Sequence, residues 1–119
     1  MNRKKQTKYE GLFIDKVIGK FPDLHAERVA GSGRKKTAAG DVVVIKNSTP
    51  YITEVKATKE KNYCFTRGKR ENLLEKSQRC GAIPLLAVRF KKRRWVVVNL
   101  TSRDCWTVHD NDKSMWELD

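Results

Sequence analysis

The sequence has few cysteines and histidines, the residues that cross-link small secreted proteins or bind zinc. It contains three cysteines (Cys64, Cys80 and Cys105) with no C-x-x-C spacing, and only two histidines. An odd number of widely separated cysteines indicates neither a disulfide framework nor, beside so few histidines, a zinc site. No apolar leader follows the basic residues at the start of the chain. We therefore expect a cytoplasmic protein that is not secreted.

Long apolar runs and acidic residues are also scarce. No run approaches the roughly 20 apolar residues that cross a bilayer, so we expect no membrane span. The net charge is +12, and it is unevenly placed: residues 1–103 carry 25 basic and 9 acidic side chains, whereas residues 104–119 carry 1 and 5. A positive electrostatic field of this size attracts polyanions, and we therefore expect nucleic acid as the partner. An anionic membrane surface is the alternative, but no basic amphipathic helix supports it.

The chain of 119 residues is predicted to form a single domain. We expect residues 1–8 to form a flexible basic arm and residues 101–119 an acidic tail. Apolar residues at helical spacing predict a first helix over 9–21, with Thr7 as a possible N-cap. A second helix is predicted over 70–80, with Gly81 as its C-cap.

Between and after these helices, β-branched and alternating segments predict strands over 25–30, 42–45, 51–56, 84–90 and 95–100. The run Val42-Val43-Val44-Ile45 is typical of a strand that is buried on both faces. The order predicts the α/β class, with a mixed central β-sheet flanked by helices.

One hairpin carries the candidate chemistry. If residues 47–50 connect its strands, an antiparallel register with paired numbers summing to 95 or 97 puts Asp41 opposite Glu54 or Lys56 on one face. Two carboxylates, with the Val55 backbone carbonyl in reach, could bind Mg²⁺, and Lys56 could act on a phosphodiester. Glu10, on the first helix, is a further candidate carboxylate, or else part of a helix cap. The alternative for the hairpin is an ordinary cross-strand ion pair.

The loop before this hairpin suits a phosphate backbone. Glycines permit close approach and basic side chains add charge-assisted contacts, although a solvated loop is the alternative. The residues predicted to bind DNA here are Gly31, Gly33, Arg34, Lys35 and Lys36. Further along the chain, Lys69, Arg70 and Arg89 are predicted to contact DNA as well.

Several segments together resemble the archaeal-type Holliday junction resolvases, a family of restriction-endonuclease-like nucleases with a D…E-x-K site. The resemblance covers residues 9 to 100, and its segments are RVAGSG at 28–33, Asp41, EVK at 54–56, GAIPLLAVRF at 81–90 and Trp95. It implies a restriction-endonuclease-like fold and an archaeal or viral origin. It also implies a homodimer that uses Mg²⁺, with Mn²⁺ as a possible substitute, to nick two opposed strands of a four-way DNA junction.

The resemblance also implies roles for individual residues. Asp41 and Glu54 match the metal carboxylates, Lys56 the catalytic lysine, and Glu10 the glutamate of the first helix. Ser32 matches the serine of the loop before the first acidic strand, and Arg28 a basic residue beside the site. Two other functions remain open: a restriction-like or repair endonuclease on other DNA, and a non-catalytic basic nucleic-acid-binding module.

Overall fold

The structure is a computed structural model, and it describes residues 3–29, 42–91, 94–102 and 107–118. Its strands fall in two runs, one after each of two helices. In chain order they are α1 (Arg3–Lys20), β1 (His25–Arg28), β2 (Val42–Lys46), β3 (Thr49–Ala57), β4 (Asn62–Cys64), α2 (Arg67–Cys80), β5 (Ile83–Phe90), β6 (Arg94–Asn99), a short 3₁₀ helix (Leu100–Ser102) and β7 (Thr107–His109).

Five of the strands form one mixed sheet in the order β1-β2-β3-β5-β6. β3 and β5 are parallel and the other neighbours are antiparallel. On one side, which we call the α1 face, Phe13 and Val17 of α1 pack on the sheet. On the other, the α2 face, Leu73 of α2 packs with the two-stranded sheet of β4 and β7. The prediction of a mixed central sheet flanked by helices is confirmed.

The hairpin of β2 and β3 turns on Asn47 and Ser48. Both residues have positive φ angles, 52° and 65°, which is typical of the two-residue turn that matches strand twist. Val42 lies opposite Thr53, so paired residue numbers sum to 95. This confirms the first of the two registers expected from the sequence.

The first helix begins earlier than the sequence analysis predicted. α1 starts at Arg3, so the expected flexible arm over residues 1–8 is helical from its third residue, and Thr7 lies within the helix instead of capping it. Arg, Lys and Gln are favourable helix residues, and a helix already nucleated by its apolar face extends through them at little cost. The second helix ends as predicted, because Gly81 adopts a left-handed C-cap with φ of 66°.

The expectation that β2 is buried on both faces is wrong. Val42 and Val44 are fully buried on the α1 face, but Val43 is half-buried and Ile45 is 41% exposed. The cause is position: β2 is one strand from the sheet edge, whereas the contacts of α2 with the sheet fall on β3 and β5. Burial on both faces is found instead in β5 and β6.

The acidic tail folds back onto the domain. β7 pairs with β4, and Trp116 is buried with its ring edge-on to Phe21 and Tyr51. The edge strand β6 is also covered: the Val97 amide donates to Ser114 Oγ, and the Val97 carbonyl accepts from the amide of residue 115. Among the described ranges, neither helix is long and apolar enough to cross a membrane.

Candidate active site

Glu54 and Lys56 form the chemical centre of the described structure. They are two apart on β3, so strand alternation aims both at the α2 face, while Val55 between them is buried on the α1 face. Lys56 Nζ lies 3.2 Å from Glu54 Oε1, and the side chains are only 15% and 18% exposed. Because little water screens the pair, its electrostatic interaction is stronger than that of an exposed ion pair.

The oxygen donors near this pair suit a hard divalent cation. A carboxylate from Glu54 and the main-chain carbonyl of Val55 are the ligand types that Mg²⁺ accepts. Within the ranges that the structure describes, no three Asp, Glu, His or Cys side chains group closely enough to hold a metal. The other predicted carboxylate, Asp41, lies outside those ranges, as does Ser32. Asp41 directly precedes Val42, whose partner Thr53 directly precedes Glu54.

Glu10 is also buried, with 1% of its side chain exposed, and it belongs to α1. Its Oε1 lies 3.7 Å from Nη1 of Arg28. The register places Arg28 opposite Val42, which points to the α1 face. The two ion pairs therefore lie on different faces: Arg28 is on the α1 face, and Glu54 with Lys56 is on the α2 face.

The basic residues predicted to bind DNA are spread over both faces. Arg89 lies over the ring of Tyr9, 5.3 Å from its centroid, and so contacts α1. Lys69 and Arg70 belong to the first turn of α2, which has no acidic residue, and the helix dipole adds positive potential there. Gly31, Gly33, Arg34, Lys35 and Lys36 lie outside the described residues.

Tyr63, which is not among the predicted site residues, lies within the electrostatic influence of Glu54. Its ring packs with Phe65 on the α2 face, with 6.5 Å between the centroids. Burial and then the negative charge of Glu54 raise the pKa of Tyr63 to about 12. The only sequence signal was an aromatic pair in a polar segment, because the strand that carries Tyr63 is three residues long and pairs with a segment far along the chain.

Comparisons with known proteins agree with this architecture. The family model described as archaeal Holliday junction resolvase (Hjc) matches residues 24–114. The 1.6 Å structure of Archaeoglobus fulgidus Hjc, a Holliday junction resolvase from an archaeal hyperthermophile, superposes with a TM-score of 0.70 and 22% identity over 87% of both chains, which shows a shared fold. No curated protein sequence matches the chain. Because the family model covers well over half of the sequence, this chain belongs to the archaeal Holliday junction resolvase family.

Proposed function

We propose that this chain is a metal-dependent endodeoxyribonuclease that resolves four-way DNA junctions by paired symmetric nicks. The observation that carries the proposal is the shielded Glu54–Lys56 pair on the central strand β3 of a family member. A carboxylate and an ammonium on one face, in a chain with a net charge of +12, suit chemistry on a phosphodiester.

Mg²⁺ is the proposed metal, with Mn²⁺ as a substitute. It would neutralise charge on the scissile phosphate and lower the pKa of a bound water. Asp41, Glu54 and the carbonyl of Val55 would hold it. The family resemblance also assigns Glu10 to the metal, directly or through water, but Glu10 pairs with Arg28 on the α1 face, so its assignment has the weakest support. The support is that these groups offer the oxygen ligands that Mg²⁺ prefers. In addition, the β2–β3 register pairs Val42, which follows Asp41, with Thr53, which precedes Glu54.

The ammonium group of Lys56 is the positive charge that the protein itself would bring to the site, in addition to the metal. This ammonium lies 3.2 Å from the Glu54 carboxylate and the Lys56 side chain is only 15% exposed, so it is placed before DNA arrives. We assign it to a phosphate oxygen of the strand being cut, where it opposes the negative charge that develops in the transition state. Ser32 is assigned to the same site from the family resemblance.

The backbone of the junction would be held by basic residues. Lys69 and Arg70 belong to α2, which packs on the sheet face that carries Glu54, and the loop residues Gly31, Gly33 and 34–36 precede the hairpin. Arg28 and Arg89 also contact α1, so each would have a structural role besides its proposed contact with DNA. Contacts of this kind position the duplex arms without reading bases.

A homodimer is proposed because the chain offers one such site and a four-way junction needs two symmetric cuts. A two-fold pair of subunits presents two sites at a fixed separation. The tail residue Trp116 is not available for this contact, because it is buried within its own protomer against Phe21 and Tyr51.

The test is single-turnover cleavage of a mobile four-way junction, compared with a flap and a linear duplex. With Mg²⁺ we expect paired nicks on the junction, and Glu54→Gln or Lys56→Met should slow them about 100-fold or more. Glu71→Gln is the matched control, because this exposed carboxylate pairs with Arg67 of the same helix.

Binding distinguishes the alternatives. Both site variants should still bind the junction without metal, with the salt dependence of phosphate contacts. Cutting of the duplex in preference to the junction would indicate a different endonuclease. Salt-sensitive binding without turnover by the wild-type chain would indicate a binding module and contradict the proposal.

A further inference from the structure

Exposed lysines stand at the sheet edge that carries the site, on its β5 side. β3 and β5 are parallel, so both strands end at the edge where Lys56 stands. The loop that leaves β3 carries Lys59 and Lys61, and Lys91 directly follows β5. These three lysines are exposed, and none of them is among the residues assigned to DNA above.

Main-chain hydrogen bonds fix the backbone that carries these lysines. The Thr58 amide donates to the Arg89 carbonyl at 3.0 Å, which connects the loop after β3 to the end of β5. The Asp110 amide donates to the Lys61 carbonyl at 2.8 Å and holds the far end of the same loop. The loop is therefore ordered before a ligand arrives, which lowers the entropy lost on binding.

The charge of this surface suits a polyanion. In the part of the chain that the structure describes, no carboxylate forms an ion pair with Lys59, Lys61 or Lys91. Glu60 is the one acidic residue of the loop over 58–61. Ammonium groups that lie together on a surface bind phosphates, and the release of counterions from the nucleic acid favours the complex.

The distance from the site suits a DNA strand. Lys59 comes three residues after Lys56, which is at most about 10 Å of extended chain. Successive phosphates of one strand advance about 3.4 Å along the duplex axis. A strand whose scissile phosphate lies at Lys56 therefore passes Lys59 within about three nucleotides. Arg28 lies on the other side of the site, at the end of β1.

We propose that Lys59, Lys61 and Lys91 bind the phosphate backbone of the duplex arm that leaves the cleavage site on the β5 side. The proposal rests on the proposed function, which supplies the four-way junction as the ligand. It adds a DNA contact across the site from Arg28. One contact on each side would fix the direction in which the strand crosses the site.

The triple change Lys59→Gln, Lys61→Gln and Lys91→Gln tests the contact. The measurement is the affinity for a four-way junction without metal, over a range of salt concentrations. We expect the slope of log affinity against log salt to fall by about 2–3, and the affinity near physiological salt to fall about tenfold or more. The thermal midpoint should stay near wild type, because the three residues are exposed. A wild-type slope and affinity would overturn the contact.

The matched control removes three positive charges from the opposite end of the domain: Lys16→Gln, Lys20→Gln and Arg79→Gln. Lys20 ends α1, and the next residue, Phe21, contacts Lys46 beside the β2–β3 turn. Arg79 lies in the last turn of α2, just before β5 begins, and the three control residues are exposed. The control should keep a slope within about 1 of wild type. Equal losses in the two triple variants would show that only total charge matters, and would overturn the contact.

Neutral phosphates locate the contact on the DNA. A methylphosphonate carries no charge, so it removes one phosphate contact at a time. Within about three nucleotides of the cut, on one side only, it should weaken binding by wild type and have little effect on the lysine variant. Equal losses in both proteins at every position would show that these lysines do not touch the backbone.

The two proposals fail in different measurements. Absence of cleavage by the wild-type chain with metal overturns the nuclease function. The lysine contact is decided by binding without metal, whether or not the chain cuts.

Discussion

The guanidinium of Arg28 lies 3.7 Å from the carboxylate of Glu10, and the two side chains are 43% and 1% exposed. Glu10 belongs to α1 and Arg28 ends β1, so the pair connects the first helix to the edge strand of the sheet. A carboxylate removed from water is costly unless a cation or hydrogen bonds compensate it. Arg28 therefore supports the folded protein, besides the contact with DNA proposed for it.

Arg28→Ala should lower the free energy of unfolding by about 1–2 kcal/mol, less than for a fully buried pair because the arginine is partly exposed. Urea unfolding measures the change. The control is Arg79→Ala on the exposed side of α2, which should stay within about 0.5 kcal/mol of wild type. Equal stability of the Arg28 variant and the control would show that the buried carboxylate does not depend on Arg28.

Thr53→Val should be neutral or should stabilise the protein by about 1 kcal/mol. The Thr53 hydroxyl is fully buried and has no hydrogen-bond partner within the part of the chain that the structure describes. Valine has nearly the same shape without the cost of burying that group. Thr58→Val is the control and should not stabilise, because the Thr58 hydroxyl accepts a hydrogen bond from the Glu60 amide. A loss above about 1 kcal/mol in Thr53→Val would indicate a bond to residues outside the described ranges.

Trp116→Ala should destabilise the protein by about 3 kcal/mol or more, because it empties a buried site between Phe21 and Tyr51. Met115→Ala is the neighbouring control, since Met115 is 41% exposed and should change stability by about 0.5 kcal/mol or less. Urea unfolding of both variants tests whether the tail is part of the fold. A small change in stability in Trp116→Ala would mean that the tail lies on the domain without stabilising it.

The fold was predictable from the sequence where local chemistry determines geometry. The β2–β3 register followed from a short turn and alternating side chains, and the end of α2 followed from Gly81. The pairing of β4 with β7 was not predictable, because three-residue strands carry little periodicity and these two are separated by α2, β5 and β6. The exposure of Ile45 depends on where α2 packs on the sheet, and the sequence of β2 alone does not show this.

The candidate site was predictable to a similar extent. The spacing of Glu54 and Lys56 placed both on one face, as the structure has them. The burial of Glu10 beside Arg28 on the other face depends on how α1 crosses the sheet, which helical periodicity alone does not determine. Tyr63 lies on β4, which pairs with β7 of the tail, so only the tertiary structure could show that Glu54 influences it.

The titration of Tyr63 tests whether it is a neighbour of Glu54. Burial and the Glu54 charge raise the pKa from 10.0 to about 12, so Glu54→Gln should lower it while burial keeps it above its ordinary value. The measurement is the alkaline absorbance titration of tyrosine, taken as the difference from Tyr63→Phe. Glu71→Gln, on the exposed side of α2, should leave the titration unchanged. Identical curves for Glu54→Gln and wild type would contradict the proximity.

The same shift has a consequence for stability at high pH. Between pH 10 and about 12 the folded protein keeps a proton on Tyr63 that the unfolded chain has released. The stabilising contribution is therefore complete below pH 10 and is lost as pH rises through this window. Urea unfolding across it should show a steeper fall for wild type than for Tyr63→Phe, in which this proton is absent from both states. Parallel curves would mean that Tyr63 has the same pKa in the folded and unfolded chains, and would contradict the raised pKa.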